Sequence, residues 1–572
     1  MTASASPATP ASPQAAPPPQ KSGPWAPFSQ RAFLVLWGAT VISNIGTWMH
    51  DVGAGWLMTE LSPSPLVVAL VQAATTAPIF LFALLAGAIA DIVDRRKLLI
   101  LVNLFMGVIA TLLAVAVALE LVTPGLLVAM TFLLGTGAAF QAPAWQAIVP
   151  SLVGKPMLPA AIALNSMGIN VSRAIGPALA GFLIIALGLA SPFAANALSF
   201  VAIILALLWW RPAPTTAKTL PAESVSHAVI SGLRYALHSR PIQNSLMRAA
   251  GFFAFASAYW AMLPLIAREM LQGGATLYGL LLASVGAGAV GGALILPKIR
   301  ARLGADKTVA LGTIGTALAL LTFALSPPTW AAVLVSALAG ASWIAVLSSL
   351  HVSVQTALPE WVRARGLSIF LTVFFGAMSL GSLVWGKVAD SWSLETALVA
   401  SAIGAVLLIP VTWRAKLQRA EGLDLTPSMH WPEPVLDPSL SEQQDHGPVM
   451  IQIVYQVPMD QETAFLALME TLRHARQRQG AFNWSLMRNA EDPTRFTELW
   501  FEASWQQHLR HHARVTGDDR AIQKQLRDHL APGTDPLITH HMTAEHHPEA
   551  PSGQPPDPGA ETPVATDQGE RP

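Results

Sequence analysis

The chain has 572 residues, of which 52% are apolar and only 12% are charged. Soluble globular proteins carry roughly 25% charged residues, so most of this chain is expected to lie in a lipid bilayer. The formal net charge is zero, which gives no overall field for nucleic acid to bind, and the absence of cysteine excludes disulfides and cysteine-ligated metal.

The N-terminal segment 1–28 is rich in Pro, Ala, Ser and Gln. It lacks the charged and then apolar order of a cleaved signal peptide. This composition predicts a disordered cytoplasmic tail, so the first apolar span is expected to act as the insertion signal.

Windows of about 20 apolar residues, the length that crosses a hydrocarbon core, predict about twelve membrane-spanning helices. They lie at 32–59, 66–90, 98–119, 125–150, 158–187, 191–210, 243–267, 276–297, 308–326, 329–356, 366–387 and 393–413. The expected fold class is therefore an all-α polytopic membrane protein in the plasma (inner) membrane.

The connections between these spans alternate in basic content, as the positive-inside rule requires of cytoplasmic loops. One set of connections carries Arg95, Arg96, Lys97, Lys155, Arg211, Lys218, Arg234, Arg240, Lys298, Arg300, Arg302, Lys307, Arg363 and Arg365. The opposite set has little beyond Arg268 and Lys387. Both termini are therefore expected in the cytoplasm.

A polar linker, 212–242, divides the spans into six-helix bundles at 29–211 and 243–413. Short patterns recur in both halves: Gln-x-x-x-Pro at 146–150 and 355–359, and Gly followed eight residues later by Arg at 87–95 and 292–300. Parallel repeats of this kind are typical of transporters whose two halves move about a central site.

Beyond a second linker, 414–448, residues 449–542 have the composition of a small soluble domain. The pattern predicts strands at 451–457, 481–487, 495–501 and 537–540. It also predicts a helix capped by Asp460 and ended by Gly480, and further helices after Ser504 and Asp518. This order indicates a ferredoxin-like α+β unit, and the tail 543–572 is expected to be disordered.

Three motifs of the membrane part resemble those of a known family. Gly87-x-x-Ala90-Asp91-x-x-Asp94-Arg95-Arg96 resembles the signature loop of the major facilitator superfamily, which usually has Gly at the position of Asp94. Gly176-Pro177-Ala-Leu-Ala-Gly181 resembles the Gly-Pro element of its antiporters, and the segment from Trp48 to Trp56 resembles the enterobactin-exporter-like branch, the transmembrane secretion effectors.

The C-terminal unit also carries a resemblance. Its Glu498, Ser504, Trp505 and His508 are similar to the antibiotic-biosynthesis monooxygenase-like fold, which some members of this branch carry. That fold includes enzymes as well as dimerising or ligand-sensing modules, so self-association through this domain is a further expectation.

The family resemblance implies a gate at Gly87, Asp91, Asp94, Arg95 and Arg96, in which the Asp91 carboxylate exchanges partners between two states. The alternative is that these loop charges only fix topology. It also implies a hinge at Gly176, Pro177 and Gly181, for which close helix packing is the alternative.

Asp51 and Arg173 are the strongly ionised residues clearly inside predicted spans. Such groups face a cavity or each other, because exposure to lipid is costly. We therefore expect Asp51, with neighbouring His50, to take up a coupling proton while Arg173 sets its pKa. In the alternative, Asp51 reaches the outer interface and is hydrated.

Amide side chains inside the spans are candidates for uncharged contacts with substrate, although such residues often join helices instead. They are Asn44, Gln72, Gln141, Asn165 and Asn170. Tryptophans could stack on an aromatic ligand or anchor the helices at the interface; these are Trp37, Trp48, Trp56, Trp145, Trp260, Trp343 and Trp385.

In the soluble part, His508 and His512 share one face of a predicted helix, with His511 beside them. Two such imidazoles can bind metal, but no third ligand is evident in the sequence. We therefore predict neither a metal nor a cofactor.

These features predict a secondary exporter of a small amphipathic molecule, such as a siderophore or a drug, driven by proton exchange through alternating access. No Gly-x-x-x-x-Gly-Lys-Ser/Thr phosphate loop occurs in the sequence, which argues against an ATP-driven pump. The alternative is a membrane-anchored enzyme that oxidises an aromatic metabolite through its C-terminal domain. A receptor without transport is disfavoured by the duplicated bundles.

Overall fold

The computed structural model describes residues 23–211, 225–417, 424–428, 430–431, 434–443 and 447–543. The predicted tails at 1–22 and 544–572, part of each linker, and the side chain of Asp91 lie outside the described residues. The chain forms two compact units, the first made of residues up to Ser428 together with Thr471–Gln479 and Arg514–Ile522. The remainder of the C-terminal part forms the second unit.

The first unit is a bundle of helices. In chain order these are α1 (Arg31–Leu61), α2 (Pro65–Ile92), α3 (Arg95–Ala118), α4 (Pro124–Leu152), α5 (Leu158–Leu187), α6 (Ser191–Trp209), α7 (Val225–His238), α8 (Arg240–Leu265), α9 (Ala275–Ala324), α10 (Thr329–Thr356), α11 (Arg363–Ser391) and α12 (Leu394–Thr412). Among the described residues, 11 helices are long and apolar enough to cross a membrane. The short helix α7 lies inside the segment predicted as a linker.

The count of 11 differs from the predicted twelve because α9 is continuous over 50 residues. A straight helix of that length would measure about 75 Å, more than twice the roughly 30 Å of a hydrocarbon core. Its backbone is broken at Gly304, where φ is 76° and ψ is 170°. This left-handed conformation suits glycine, and the predicted spans 276–297 and 308–326 lie on either side of it.

Short polar side chains begin several of these helices. Ser64, Asp94, Thr123 and Ser393 each accept a hydrogen bond from the backbone N–H three residues later. Such caps satisfy backbone donors that would otherwise have no partner at a helix start. The sequence thus fixes where α2, α3, α4 and α12 begin.

The buried apolar side chains form three clusters. One draws on both halves of the bundle, with Met49 and Val68 from the first half and Leu281 and Trp385 from the second. The buried members of the other two come from a single half each. One contains Phe33, Leu99 and Phe200, and the other contains Phe252, Val309 and Phe370.

We call the end of the bundle with the shared cluster, near Ser64 and Asp390, the joined end. The end with two separate clusters, near Arg95 and Arg365, is the split end. The two halves therefore have a common apolar interior at one end of the described bundle and separate interiors at the other.

The second unit contains a four-stranded antiparallel sheet in the order β2-β3-β1-β4. Its strands are β1 (Val449–Gln456), β2 (Phe482–Arg488), β3 (Arg495–Glu502) and β4 (Leu537–Met542), close to the predicted positions. The helices of the C-terminal part are α13 (Glu462–Gln479), α14 (Trp505–Arg514) and α15 (Gly517–Arg527). Phe465 packs between Tyr455 and Phe496, with ring centroids 5.5 and 5.2 Å away.

Candidate functional site

The loop between α2 and α3 is held by hydrogen bonds to backbone atoms. Asp94 caps α3, its carboxylate accepting the N–H of Lys97 at 2.9 Å, which gives this departure from the usual glycine a structural role. Arg95 donates to the Ala147 carbonyl at 2.9 Å. Arg96 donates to the carbonyls of Leu207 and Leu208, at 2.8 and 2.9 Å, where α6 ends.

This loop therefore connects the ends of α4 and α6 at the split end. Gly87 lies in the last turns of α2, where an added Cβ would be 4.0 Å from the hydroxyl of Ser368 in the other half. The exchange of partners by Asp91 stays a prediction.

Replacing Arg96 with Ala is expected to lower the stability of the first unit by about 1–3 kcal/mol, because two carbonyls at the end of α6 lose a charged donor. Thermal unfolding of the purified protein in detergent measures this. Lys97→Ala is the matched control, since it removes the same charge from the same loop while the Lys97 side chain is exposed. Equal losses in both variants would contradict the capping role.

The Gly-Pro element of α5 packs against helices of both halves. A Cβ on Gly176 would lie 2.5 Å from the Cβ of Trp48 in α1. On the other side, a Cβ on Gly279 in α9 would lie 2.5 Å from the carbonyl oxygen of Pro177, and one on Gly181 would lie 3.1 Å from the Cα of Thr276. The element thus lets α5 pack closely against both α1 and α9, as expected if these glycines serve helix packing. Their role as a hinge stays a prediction.

Asp51 and Arg173 form no ion pair with each other among the described contacts. The guanidinium of Arg173 lies over the ring of Trp48, 5.5 Å from the centroid, and its Nε has no hydrogen-bond partner in the described part of the chain. Asp51 is one turn beyond Trp48 in α1 and is partly buried. His50 packs edge-on against Phe193 of α6, with centroids 5.2 Å apart.

The five predicted amides are all partly buried. Asn44 is seven residues before Asp51 and so lies on the same face of α1. Asn170 donates to the carbonyl of Ser166 one turn earlier, at 2.8 Å. The remaining three are on α2, α4 and α5: Gln72, Gln141 and Asn165.

An apolar cavity of about 500 Å³ lies between α2, α8 and α11. Its walls include the aromatic rings of Phe80, Phe255 and Trp385. It opens beside Leu380 and Val384, whose side chains are more than half exposed. None of the five amides lines it, whereas Trp385 is one of the tryptophans that the sequence indicated as stacking candidates.

Polar contacts connect the two halves at the joined end. The hydroxyl of Ser64, which begins α2, donates to the carboxylate of Asp390 in α11 at 2.6 Å. Arg268 donates to the carbonyl of Thr59 at the end of α1. Trp56 and Tyr278 stack with centroids 6.5 Å apart. These contacts were not apparent from the sequence.

In the second unit, the predicted histidine pair belongs to a buried network. The Glu502 carboxylate lies 3.0 Å from Nδ1 of His508 and 2.5 Å from Nδ1 of His511. It also accepts a hydrogen bond from Trp500 at 2.8 Å. Burial would raise the pKa of Glu502, but the charge of His511 and the hydrogen bonds from both histidines outweigh it and hold that pKa well below its usual range.

The structure brings a third histidine to this cluster, which the sequence did not reveal. His540 of β4 lies beside His508, with ring centroids 4.7 Å apart, and one nitrogen from each of His508, His512 and His540 lies within 4.8 Å of the others. Burial lowers the pKa of His512 to about 3 and that of His540 to about 4, and the charge of His508 adds to both shifts.

The sequence profile of the transmembrane secretion effectors matches residues 22–548, which is most of the chain. The chain belongs to the transmembrane secretion effector family. The match extends through the sheet of the second unit and not only through the helical bundle.

This transmembrane secretion effector is similar to a transporter, an exporter and an efflux pump of other bacteria. It is 24% identical over 358 residues to the staphyloferrin A transporter of Staphylococcus aureus, covering 61% of this chain and 87% of the relative. It is 26% identical to the enterobactin exporter EntS of Salmonella typhimurium, covering 66% and 90%. It is 23% identical to the multidrug efflux pump Tap of Mycolicibacterium fortuitum, covering 68% and 97%.

Solved structures share the fold of the bundle. A bacterial homologue of the human lysosomal transporter Spinster superimposes with a TM-score of 0.54 at 16% identity, covering 68% of this chain and 97% of the other. A POT family transporter superimposes with a TM-score of 0.55 at 12% identity, covering 67% and 96%. The named relatives are transporters and exporters, so the oxygenase alternative gains no support from them.

Proposed function

We propose that this transmembrane secretion effector exports a small amphipathic molecule in exchange for protons, by alternating access between two six-helix halves. The observation that carries the proposal is the arrangement of the apolar interior, shared at the joined end and separate at the split end. We infer that the separate apolar interiors at the split end leave a passage between the halves there.

The twelve-span topology follows if α9 is two spans that meet at Gly304. The split end then carries Arg95, Arg96 and Arg365, and the positive-inside rule places it in the cytoplasm together with both termini. The described conformation is then open to the cytoplasm, ready to receive a substrate for export.

The substrate class is inferred from the cavity and from the relatives. A volume of about 500 Å³ falls within the usual range for small-molecule sites, and aromatic walls favour flat or amphipathic ligands. The relatives are named for a siderophore in two cases and for several drugs in the third. We infer that the substrate is an aromatic siderophore or a lipophilic drug.

Inside-out membrane vesicles that contain the protein test this function. With an acidic interior, they should accumulate ethidium or a catecholate siderophore, and nigericin, which collapses the pH gradient, should abolish the accumulation. Vesicles without the protein are the control. Accumulation of neither probe, or accumulation that needs ATP instead of a pH gradient, would refute proton-coupled export.

Replacing Asp390 with Ala is expected to raise the ratio of molecules open at the joined end to molecules closed there about tenfold. The reason is that the Ser64 hydroxyl of one half loses its charged hydrogen-bond acceptor in the other half. The chain has no cysteine, so spin labels can be attached at Leu121→Cys and Trp392→Cys, two exposed positions in different halves. Double electron–electron resonance should show a larger population at long distance. Glu395→Ala, an exposed acid of α12, should leave the distances unchanged.

For the second unit we propose a ferredoxin-like fold, which the strand order β2-β3-β1-β4 supports. Self-association through this unit is part of the proposal. Chemical cross-linking of the full chain, compared with a chain ending after residue 417, would show whether dimers depend on it.

A further inference from the structure

The histidine cluster of the second unit has the arrangement of a metal site. His508 and His512 are four residues apart on one face of α14, and His540 comes from β4, which pairs with β1. The ring of His508 lies 4.7 Å from those of both His512 and His540, centroid to centroid. A helix and a strand that are distant in sequence thus present three imidazoles to one point.

The hydrogen bonds of His508 leave its other nitrogen free to act as a ligand. An ionised carboxylate can only accept a hydrogen bond, so Nδ1 of His508 must carry the proton that it shares with Glu502 at 3.0 Å. In the neutral ring the lone pair is then on Nε2, which is buried and has no partner in the described part of the chain, in a residue only 1% exposed. A buried polar atom without a partner is costly unless something else binds it.

The carboxylate of Glu502 is in the position of a supporting group for a metal ligand. Metal-binding histidines commonly donate their second ring N–H to a carboxylate, which fixes the orientation of the ring and raises its basicity. Nδ1 of His512 is a second buried nitrogen without a partner among the described residues. Both observations point to a ligand at the centre of the three rings.

We propose that His508, His512 and His540 bind one divalent transition-metal ion through three imidazole nitrogens, with a fourth position open to water or to an anionic ligand. Imidazole donors suit zinc and its neighbours in the first transition row, and they exclude calcium and magnesium, which require oxygen. Nitrogens bound to tetrahedral zinc lie about 3.3 Å apart. The three nitrogens lie within 4.8 Å of one another, so binding one ion requires them to approach by at most about 1.5 Å.

This inference does not depend on the direction or substrate of transport. It assigns the C-terminal unit a ligand of its own.

Zinc binding to the full-length chain, purified in detergent without a histidine tag, tests the proposal. Equilibrium dialysis followed by elemental analysis should give about one zinc ion per chain. His512→Gln and His540→Gln should each lower the affinity at least about a hundredfold, and Glu502→Gln, which removes only the supporting carboxylate, about 10–100-fold. His541→Gln is the matched control, because His541 is the neighbour of His540 on β4 and is exposed.

Two results would overturn the site: zinc content that is unchanged in both ligand variants, or an equal loss in the His541 control. Should the variants aggregate, the unaltered chain loaded with Co²⁺ decides the question. Intense visible absorption of tetrahedral Co²⁺ supports the proposed four-coordinate site, whereas the weak absorption of octahedral Co²⁺ refutes it.

Discussion

Replacing Asp51 with Asn is expected to lower export driven by a pH gradient at least about tenfold. Exchange of substrate between the two sides of the membrane should continue. Asp51 lies ten residues before the end of α1, which is about 15 Å along the helix, and the coupling hypothesis takes this position to be inside the hydrocarbon core. A carboxylate at that depth is costly unless it binds a proton or a cation in the transport cycle. An amide has the same shape and cannot be ionised.

Two assays on the same vesicles separate coupling from general damage. Accumulation against a gradient should be lost in Asp51→Asn, whereas exchange of labelled for unlabelled substrate at equal pH should continue. Glu60→Gln is the matched control, since Glu60 is an exposed acid at the end of the same helix. Its carboxylate accepts a hydrogen bond from Trp56 at 2.8 Å. Normal accumulation in Asp51→Asn would end the coupling role.

Replacing Gly288 with Ala is expected to destabilise the bundle by about 1–3 kcal/mol or more, the usual cost of overpacking. An added Cβ at this position would overlap the carbonyl oxygen of Ala337 in α10, and one on Gly340 would overlap that of Val285 in return. The backbones of α9 and α10 therefore pack directly on each other. A rigid backbone cannot move aside as a flexible side chain can.

Gly291→Ala provides the control for this change. Gly291 lies three residues further along α9, and an added Cβ there has no atom within 4 Å. The melting temperature in detergent should fall by about 5 °C for Gly288→Ala, and it should hold or rise for Gly291→Ala because alanine favours the helix. Equal behaviour of the two variants would contradict the packing argument.

Local sequence signals predicted the elements of this fold well. Apolar length located the membrane helices, and the charged segment from Lys298 to Lys307 correctly indicated a break that the backbone makes at Gly304. Strand alternation located the sheet, and Gly480, with φ of 131°, lies where a helix end was expected. Each of these features depends on residues that are close together in the sequence, so one sequence is enough to predict it.

Contacts between distant residues could not be predicted in the same way. His540 reaches His508 only because β4 pairs with β1 in one register, with Ile451 opposite His540. Ser64 and Asp390 meet because α2 and α11 run side by side, and neither residue carries a local mark of that contact. The small residues of α5 indicated close packing, but only the fold shows that Gly176 faces α1 while Gly181 faces α9.

The shared interior of the joined end has a thermal consequence. Opening that end would expose to water apolar surface that is now buried, and the hydration of such surface gives a large positive change in heat capacity. The balance between the two orientations should then follow a curved rather than straight van't Hoff plot. Because apolar association weakens on cooling, chilled protein should populate the conformation that is open at the joined end more often than warm protein does.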